Sequence, residues 1–470
     1  MAKKYEINMC EGPLFSKLIA FALPLMLSSI LQLLYNAADV IVVGQFAGHA
    51  ALAAVSSTGS LVNLIVNLFI GLSVGANVAT ARFFGAKDDR SVHETVHTSM
   101  LLSIIGGIGV GIIGFFGART FLLWMGSPDD VIDLAALYLK IYFVGMPASM
   151  VYNFGASILR AIGDTRRPMR YLMISGAVNV VLNLVLVIFF DMSVAGVAIG
   201  TVASQLLSAI FVVYALVRGS EGSSFQLFPH KMRIYRDKLV IILQTGIPSG
   251  IQGSVFSLSN VLIQSTINSF GSVAMAGNGA AANIEGFIYV AMNAFHHAAL
   301  TFTSQNLGAH NLARIKRIFW QCILLVTSVG FILGCAALFF GPQLLSIYDS
   351  DPQVISFGIV RMQIICLTYF TCGIMDVFAG LMRGLGNSVT PMVVSLLGAC
   401  GLRVVWLYTV FALEPTLRCL YISYPVSWVV TSLAHGICFI IQMKKTQKRL
   451  AAAERAAIDS AAAKPAELGV

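Results

Sequence analysis

The chain has 470 residues, of which 57% are apolar and only 11% are charged. A soluble domain carries about 25% charged residues, so a water-soluble globular fold is excluded and the chain reads as an all-α polytopic membrane protein. The net charge of +9 would suit nucleic acid, but the cations fall in short loops between apolar blocks; nucleic acid is excluded as a partner and anionic membrane lipid is expected instead.

In chain order, apolar blocks of roughly 20 to 30 residues, the length a helix needs to cross a bilayer, predict twelve spans. They lie at 16–44, 50–80, 92–117, 131–159, 169–190 and 194–217, then at 238–269, 274–306, 313–340, 355–382, 390–412 and 418–443. The first block is too long for a signal-peptide core and has no clear cleavage site, so it is read as a retained membrane helix. The polar stretch 218–237 separates an N-terminal lobe, 1–217, from a C-terminal lobe, 238–443; an Ala- and charge-rich tail, 444–470, follows as a short fraying helix.

Charge sidedness orients these spans. With the N-terminus in the cytoplasm, the inward loops hold Arg82, Lys87, Arg90, Arg160, Arg166, Arg167, Arg170, Arg218, Lys231, Arg314, Lys316, Arg317 and Arg383. The outward loops hold only Arg119 and Arg418, beside acids such as Asp129, Asp130, Asp349, Asp351 and Glu414. This is the positive-inside pattern. It predicts a multi-pass protein of the plasma (inner) membrane with both termini cytoplasmic.

The two lobes repeat. "LRAIGDTRRPM" (159–169) matches "MRGLGNSVTPM" (382–392), with Arg160/Arg383, Gly163/Gly386 and Pro168/Pro391 all 223 apart (383 − 160, 386 − 163, 391 − 168). Gly85 and Gly308 keep the spacing, 308 − 85 = 223, and Pro24/Pro248 and Asn36/Asn260 are 224 apart. A fixed offset over several loops marks a duplication. Each lobe holds an even number of spans, so the repeats are parallel, related by a pseudo-two-fold axis along the membrane normal. Such pairs place substrate between the halves.

Polar stripes interrupt the first lobe. Gln32, Tyr35, Asn36 and Asp39 lie at i, i+3, i+4, i+7 of the first span, one helical face. Asn63 and Asn67 are four apart on the second span, Asn179 and Asn183 on the fifth; Thr201, Ser204, Gln205 and Ser208 follow one face of the sixth. Two readings stand for the amides and hydroxyls: walls of a wet pocket, or hydrogen bonds between helices. Asp39 is different, because a carboxylate at membrane depth costs about 2.5 kcal/mol or more. A pocket lined by amides and water would tolerate it, and its proton affinity would be set by desolvation and neighbouring charge.

The second lobe lacks these groups: Ile263 and approximately Val405 stand where Asp39 and Asn183 stand in the first. Its intramembrane charges are read as Glu285, Asp376 and Arg403, one cation and two acids that suggest a buried ion pair, structural or substrate-binding. His296 and His297 are adjacent, so their side chains should point apart, a poor metal site; His435 reads as a packing residue. The eight cysteines have no metal-ligand spacing and read as buried thiols. No phosphate loop or nucleophile elbow appears. The chain is therefore expected not to be an enzyme, to need no cofactor or metal, and to draw on an ion gradient.

The twelve spans in two halves, together with "YNAADVIVVG", "FFGAKD" and "LRAIGDTRRPM" with its echo, resemble the multidrug and toxic compound extrusion (MATE) transporters over about residues 14 to 443. The resemblance implies cation-coupled antiport by alternating access, exporting amphiphilic and often cationic small molecules, with the protein a monomer. It also implies a cation site at Asp39, Asn179, Asn183 and Thr201, closer to the DinF-type branch than to the NorM-type. That branch carries a second acid where this chain has Asn183 and a proline where it has Leu184. A single carboxylate favours H⁺ as the coupling ion, with Na⁺ the alternative. Gln32, Tyr35, Asn36, Asn63, Asn67, Gln205, Glu285, Asp376 and Arg403 are candidates to line the substrate pocket. A lipid-linked saccharide flippase is the alternative function; it would carry several intramembrane cations, where only Arg403 is evident.

Overall fold

A computed structural model of the chain describes residues 7–125, 129–219 and 223–462. Residues 220–222 of the expected linker and the end of the tail lie outside this range, and only the backbone of Asp129 and Asp130 is described. The described residues form helices and no strand. The first six spans are Leu14–Phe46, His49–Gly85, Asp89–Trp124, the pair Asp129–Val144 and Met146–Ala161, Arg166–Leu184 extended by the π-type turn Val185–Phe189, and Ser193–Val217. The second six are Arg236–Asn268, Ser272–Gly308, Leu312–Phe339, Pro352–Gly384, the segmented Val389–Leu413, and Leu417–Ala462.

Ten of these helices are individually long and apolar enough to cross a membrane, and the pair in the fourth span, bent by 47°, makes an eleventh. The eighth is not among them because its Asn, Gly, Ser and His content lowers its hydropathy; its Asn278, Glu285 and His296 are buried. The bend in the fourth span follows from Gly145 and Pro147: proline has no N–H for the ladder and restarts the helix at its first turn. The twelfth span does not fray at residue 443; it continues as one helix to Ala462. Phe116, Trp124, Phe189 and Leu413 present bare side chains on the outside of the bundle, the surface expected against hydrocarbon.

The repeat is visible in backbone geometry. Positive φ recurs at Gly48 and Gly271 (86° and 95°), Lys87 and His310 (56° and 57°), and Gly163 and Gly386 (94° and 84°). Every pair is 223 residues apart (271 − 48, 310 − 87, 386 − 163). The capping chemistry repeats too. Asp88 accepts from the Ser91 N–H at 3.0 Å, and Asn311, 223 residues on, accepts from the Arg314 N–H at 3.1 Å. Each satisfies an orphan donor at a helix start.

The halves meet along the second and eighth spans near the end of the bundle that carries both chain termini. A Cβ added at Gly85 would stand 2.0 Å from the Gln305 carbonyl oxygen, and one at Gly308 would stand 1.9 Å from that of Arg82. Arg82 and Gln305 are themselves one repeat apart (305 − 82 = 223), so this close crossing straddles the pseudo-two-fold axis. The second and seventh spans also cross closely, Gly71 on Gly250 and Gly75 on the Ile242 carbonyl. Residues before the first span seal the same end: Met9 O accepts from Asn306 Nδ2 (3.2 Å) and Arg314 Nε (2.9 Å). The second span is buried over residues 71–81 but not over 61–70. The lobes are thus joined at the terminal-bearing end and apart toward the other.

Candidate functional site

Inside the first lobe, the first, fourth, fifth and sixth spans line a cavity of about 120 Å³ around Asp39. Asn183 Nδ2 donates to Asp39 Oδ1 at 2.5 Å, and Thr201 Oγ1 stands 3.5 Å from Asp39 Oδ2. The single Thr201 proton has a nearer acceptor, the Val197 carbonyl at 2.9 Å, so this hydroxyl offers the carboxylate little. Asn179 Nδ2 reaches Thr201 Oγ1 at 3.5 Å. Asn179 and Asn183 are buried, and the Oδ1 atoms of both, with Gln205 Oε1, have no hydrogen-bond partner. No Lys, Arg or second acid lines this cavity. One carboxylate among neutral amides with unused acceptors is a site that a proton or a small cation would complete.

The backbone makes this approach possible. Gly200 on the sixth span faces Asn183, and an added Cβ would lie 2.1 Å from Asn183 Oδ1. Gly176 on the fifth likewise admits the Tyr35 ring, whose hydroxyl donates to the Met173 carbonyl at 3.2 Å. The fifth span passes into the wider π-type turn directly after Leu184. Such turns recur at functional sites, and this one begins two residues after Asn183 (185 − 183).

A second, larger cavity of about 750 Å³ lies between the lobes. Its first-lobe wall is amide and hydroxyl: Gln32, Asn67, Asn77, Asn153 and Ser157. Its second-lobe wall is aromatic and charged, with Tyr289, Tyr369, Tyr424 and Trp428 beside Glu285, Asp376, Arg361, Arg383 and Arg403. Arg160, His296 and His297 line it as well. Tyr369 and Tyr424 pack on either side of Trp428, with ring centroids 5.2 and 5.6 Å away.

The structure brings together Asp39, Asn179, Asn183 and Thr201. Gln32, Tyr35, Asn36 and Gln205 line the same small cavity, and Gln32 reaches the large one. Asn67 lines the large cavity and donates to Ser257 Oγ at 3.1 Å. Asn63 does neither: it is exposed, just beyond Leu64, whose carbonyl accepts from Ser254 Oγ at 3.2 Å. The expected grouping of Glu285, Asp376 and Arg403 is corrected. Glu285 is held by Arg361, through Nε at 2.9 Å and Nη2 at 2.6 Å. Arg403 instead donates to Ser427 Oγ at 3.0 Å and lies 4.1 Å over the Tyr424 ring.

Sequence reasoning missed three cavity cations. Arg361 stands inside the predicted tenth span, in "GIVRMQII", where a lone cation in an apolar run was the available signal. Arg160 and Arg383 were assigned to loops, but the fourth and tenth spans continue to Ala161 and Gly384 and carry them into the cavity wall. The adjacent His296 and His297 do not point apart; both line the cavity, with ring centroids 5.3 Å apart. His435 is buried against the Met375 and Pro391 carbonyls, each 3.3 Å away. No cluster of metal-ligating side chains occurs among the described residues.

A family model described as MatE matches the chain twice, over residues 24–185 and 248–409, two segments 224 residues apart (248 − 24). The chain is similar to a probable multidrug resistance protein, YoeA, of Bacillus subtilis, at 26% identity over 92% of this chain and 94% of the relative. A second relative from that organism, the probable multidrug resistance protein YpnP, is 27% identical over 85% of this chain and 89% of its own. Among solved structures, one of a multidrug resistance MATE family transporter in an outward-facing conformation superposes with a TM-score of 0.88 at 21% identity, covering 94% of this chain and 99% of that one.

Proposed function

We propose, for a chain that belongs to the MatE family of multidrug transporters, that it exports amphiphilic small molecules in exchange for a cation bound at Asp39. The family membership supports the transport reading, and it does not favour a lipid-linked saccharide flippase. The observation that carries the coupling assignment is the Asp39 carboxylate, half-buried and held at 2.5 Å by neutral Asn183, with no Lys or Arg side chain lining its cavity.

Binding and release are expected to change the first lobe as follows. An ionised Asp39 retains its bond from Asn183 and keeps water in the small cavity. Neutralised by a proton, it loses the strongest reason to hold that water, and the first, fifth and sixth spans draw together. Gln32, which lines both cavities, lies on the route between them. The lobes, 1–217 and 238–443, then rock about the Gly85–Gly308 crossing, with 218–237 as a cytoplasmic linker, 444–470 as a cytoplasmic tail, and the large cavity facing outward in this structure. The basic loops support a cytoplasmic position for the terminal-bearing end, in our reading of the protein as a monomer of the plasma membrane.

H⁺ is the ion we assign, because one carboxylate supplies one charge and one titration. The unused Oδ1 acceptors of Asn179 and Asn183 favour a second reading in which Na⁺ takes the same place. Proteoliposomes given an imposed pH gradient or an imposed Na⁺ gradient, one at a time, decide between them; an Asp39→Asn protein that exports like wild type under either would sink the coupling site.

A further inference from the structure

The large cavity carries more positive charge than the family's usual cationic cargo would favour. Four guanidinium groups line it, from Arg160, Arg361, Arg383 and Arg403, against two carboxylates, Glu285 and Asp376. With all six ionised and the histidines neutral the cavity stands at +2 (4 − 2). Arg361 is spoken for: Glu285 grips it through two nitrogens, and Asn278 Oδ1 accepts from its Nη1 at 2.6 Å. Among the described residues the other three make no salt bridge: Asp376 faces Arg383 without contacting it, and one acid cannot offset three guanidinium groups. Arg403 makes its bond to the neutral Ser427 hydroxyl and rests on aromatic faces, 4.1 Å from the Tyr424 centroid and 5.6 Å from that of Trp428. Arg160 donates to Ser157 Oγ at 2.9 Å. Arg383 is only 6% exposed; its Nη2 donates to neutral Gln252 Oε1 at 2.7 Å, and its Nε has no partner.

A buried guanidinium nitrogen without an acceptor is costly unless something fills it. Arg383 Nη1 faces the His296 ring nitrogen at 3.4 Å, so every partner Arg383 has is neutral. A ligand that brings a carboxylate, sulfonate or phosphate into the cavity would offset the charge of these arginines. The neighbouring wall supplies the rest of the specification. Arg403 covers the Tyr424 and Trp428 faces, but Tyr289 is exposed to the cavity beside Tyr369, ring centroids 6.5 Å apart, a surface for a flat aromatic body. The volume, about 750 Å³, is within the range of roughly 300–1,000 Å³ found for small-molecule sites.

We propose that this cavity binds and exports aromatic organic anions, the negative group seated against Arg383 and Arg160 and the ring against the Tyr289–Tyr369 wall. The assignment rests on the export reading above and names its substrate class. It reverses the expectation of cationic cargo.

The test uses the full-length protein, in detergent for binding and in proteoliposomes for transport, with carboxyfluorescein as the aromatic anion and ethidium as the aromatic cation. The anion should bind at least tenfold more tightly than the cation. Arg383→Gln should weaken the anion at least tenfold, and Arg383→Lys should weaken it less. Because Arg383 is buried, Arg160→Gln, at a less enclosed position, is made in parallel and should weaken the anion severalfold; each variant is checked for a single gel-filtration peak before binding is read. Tighter binding of ethidium overturns the proposal. So does unchanged anion affinity in both Gln variants, or displacement by a lipid-linked pyrophosphate sugar where carboxyfluorescein has no effect. The two readings fail separately. Ethidium moved by a gradient, with Asp39→Asn inactive, leaves export standing and removes the anion site. An anion bound through Arg383 but moved by no gradient leaves the site standing and removes export.

Discussion

Asn183 Nδ2 lies 2.5 Å from Asp39 Oδ1 across 144 residues of sequence, so the fifth span donates directly to the one carboxylate in the first lobe's cavity. The contact ties two spans through a group that a cation can neutralise. Asn183 lies two residues before the π-type turn of that span (185 − 183).

Asp39→Asn should abolish gradient-driven export while leaving the protein folded. The substitution keeps size, and no cation lines the cavity to be stranded by loss of the charge. Because an uncompensated carboxylate at membrane depth costs about 2.5 kcal/mol or more, the variant should melt at the wild-type temperature or above it. Efflux from proteoliposomes and a thermal melt measure the two halves of this expectation; a melt many degrees below wild type would contradict it.

Gly200→Ala tests the geometry without touching charge. The new Cβ would stand 2.1 Å from Asn183 Oδ1, so Asn183 must withdraw from Asp39. Overpacking of this kind costs about 1–3 kcal/mol. Export should fall at least tenfold. If Gly200→Ala exports normally, the Asn183–Asp39 contact is dispensable for coupling.

Asn183→Asp asks which ion is used. A second carboxylate beside Asp39 raises the cost of leaving the pair unneutralised, and Na⁺ offsets that repulsion. Export by this variant should be stimulated by Na⁺ more than wild type, with wild type driven mainly by pH. Wild-type export that runs on a Na⁺ gradient at constant pH and ignores a pH gradient would show that the single carboxylate does not select the proton.

The Glu285–Arg361 pair should be a structural keystone of the second lobe. Both groups are buried and doubly bonded, and removing one partner of such a pair costs about 3–5 kcal/mol. Glu285→Leu and Arg361→Met should each lower the melting temperature by several degrees. The double variant should recover most of the loss, since replacing both charges leaves none unpaired. Single variants with unaltered melts would argue that water, not the partner, stabilises each charge.

Orientation is testable by labelling in intact cells from a cysteine-free background. Cysteine at Gly48 or Ser350 should react with an impermeant maleimide; cysteine at Asp88 or Asn311 should not. Gly48 sits at a φ of 86°, which strains a side chain there, so Ser350, exposed in the loop before the tenth span, is the cleaner reporter. Reaction at Asn311 alone would invert the proposed topology.

The sequence by itself determined the architecture. Apolar blocks are read locally, one span at a time, and the constant 223-residue offset survives in loops because Gly163, Gly386, Gly48 and Gly271 occupy backbone conformations that other residues adopt at a cost. The Asp39 face was legible for the same reason: a helix converts spacing directly into sidedness. What only the tertiary structure decided is which faces meet. Asn63 and Asn67 share one helical face, yet only Asn67 reaches the central cavity; Asn63 is exposed just beyond Leu64, whose carbonyl accepts from Ser254. Glu285 finds Arg361 rather than Arg403 because the eighth and tenth spans pack together. Arg160 and Arg383 sit where apolar runs give way to polar loops, so hydropathy assigns them to water. Two more helical residues (161 − 159, 384 − 382) carry each into the cavity, and the charge of that cavity follows from them.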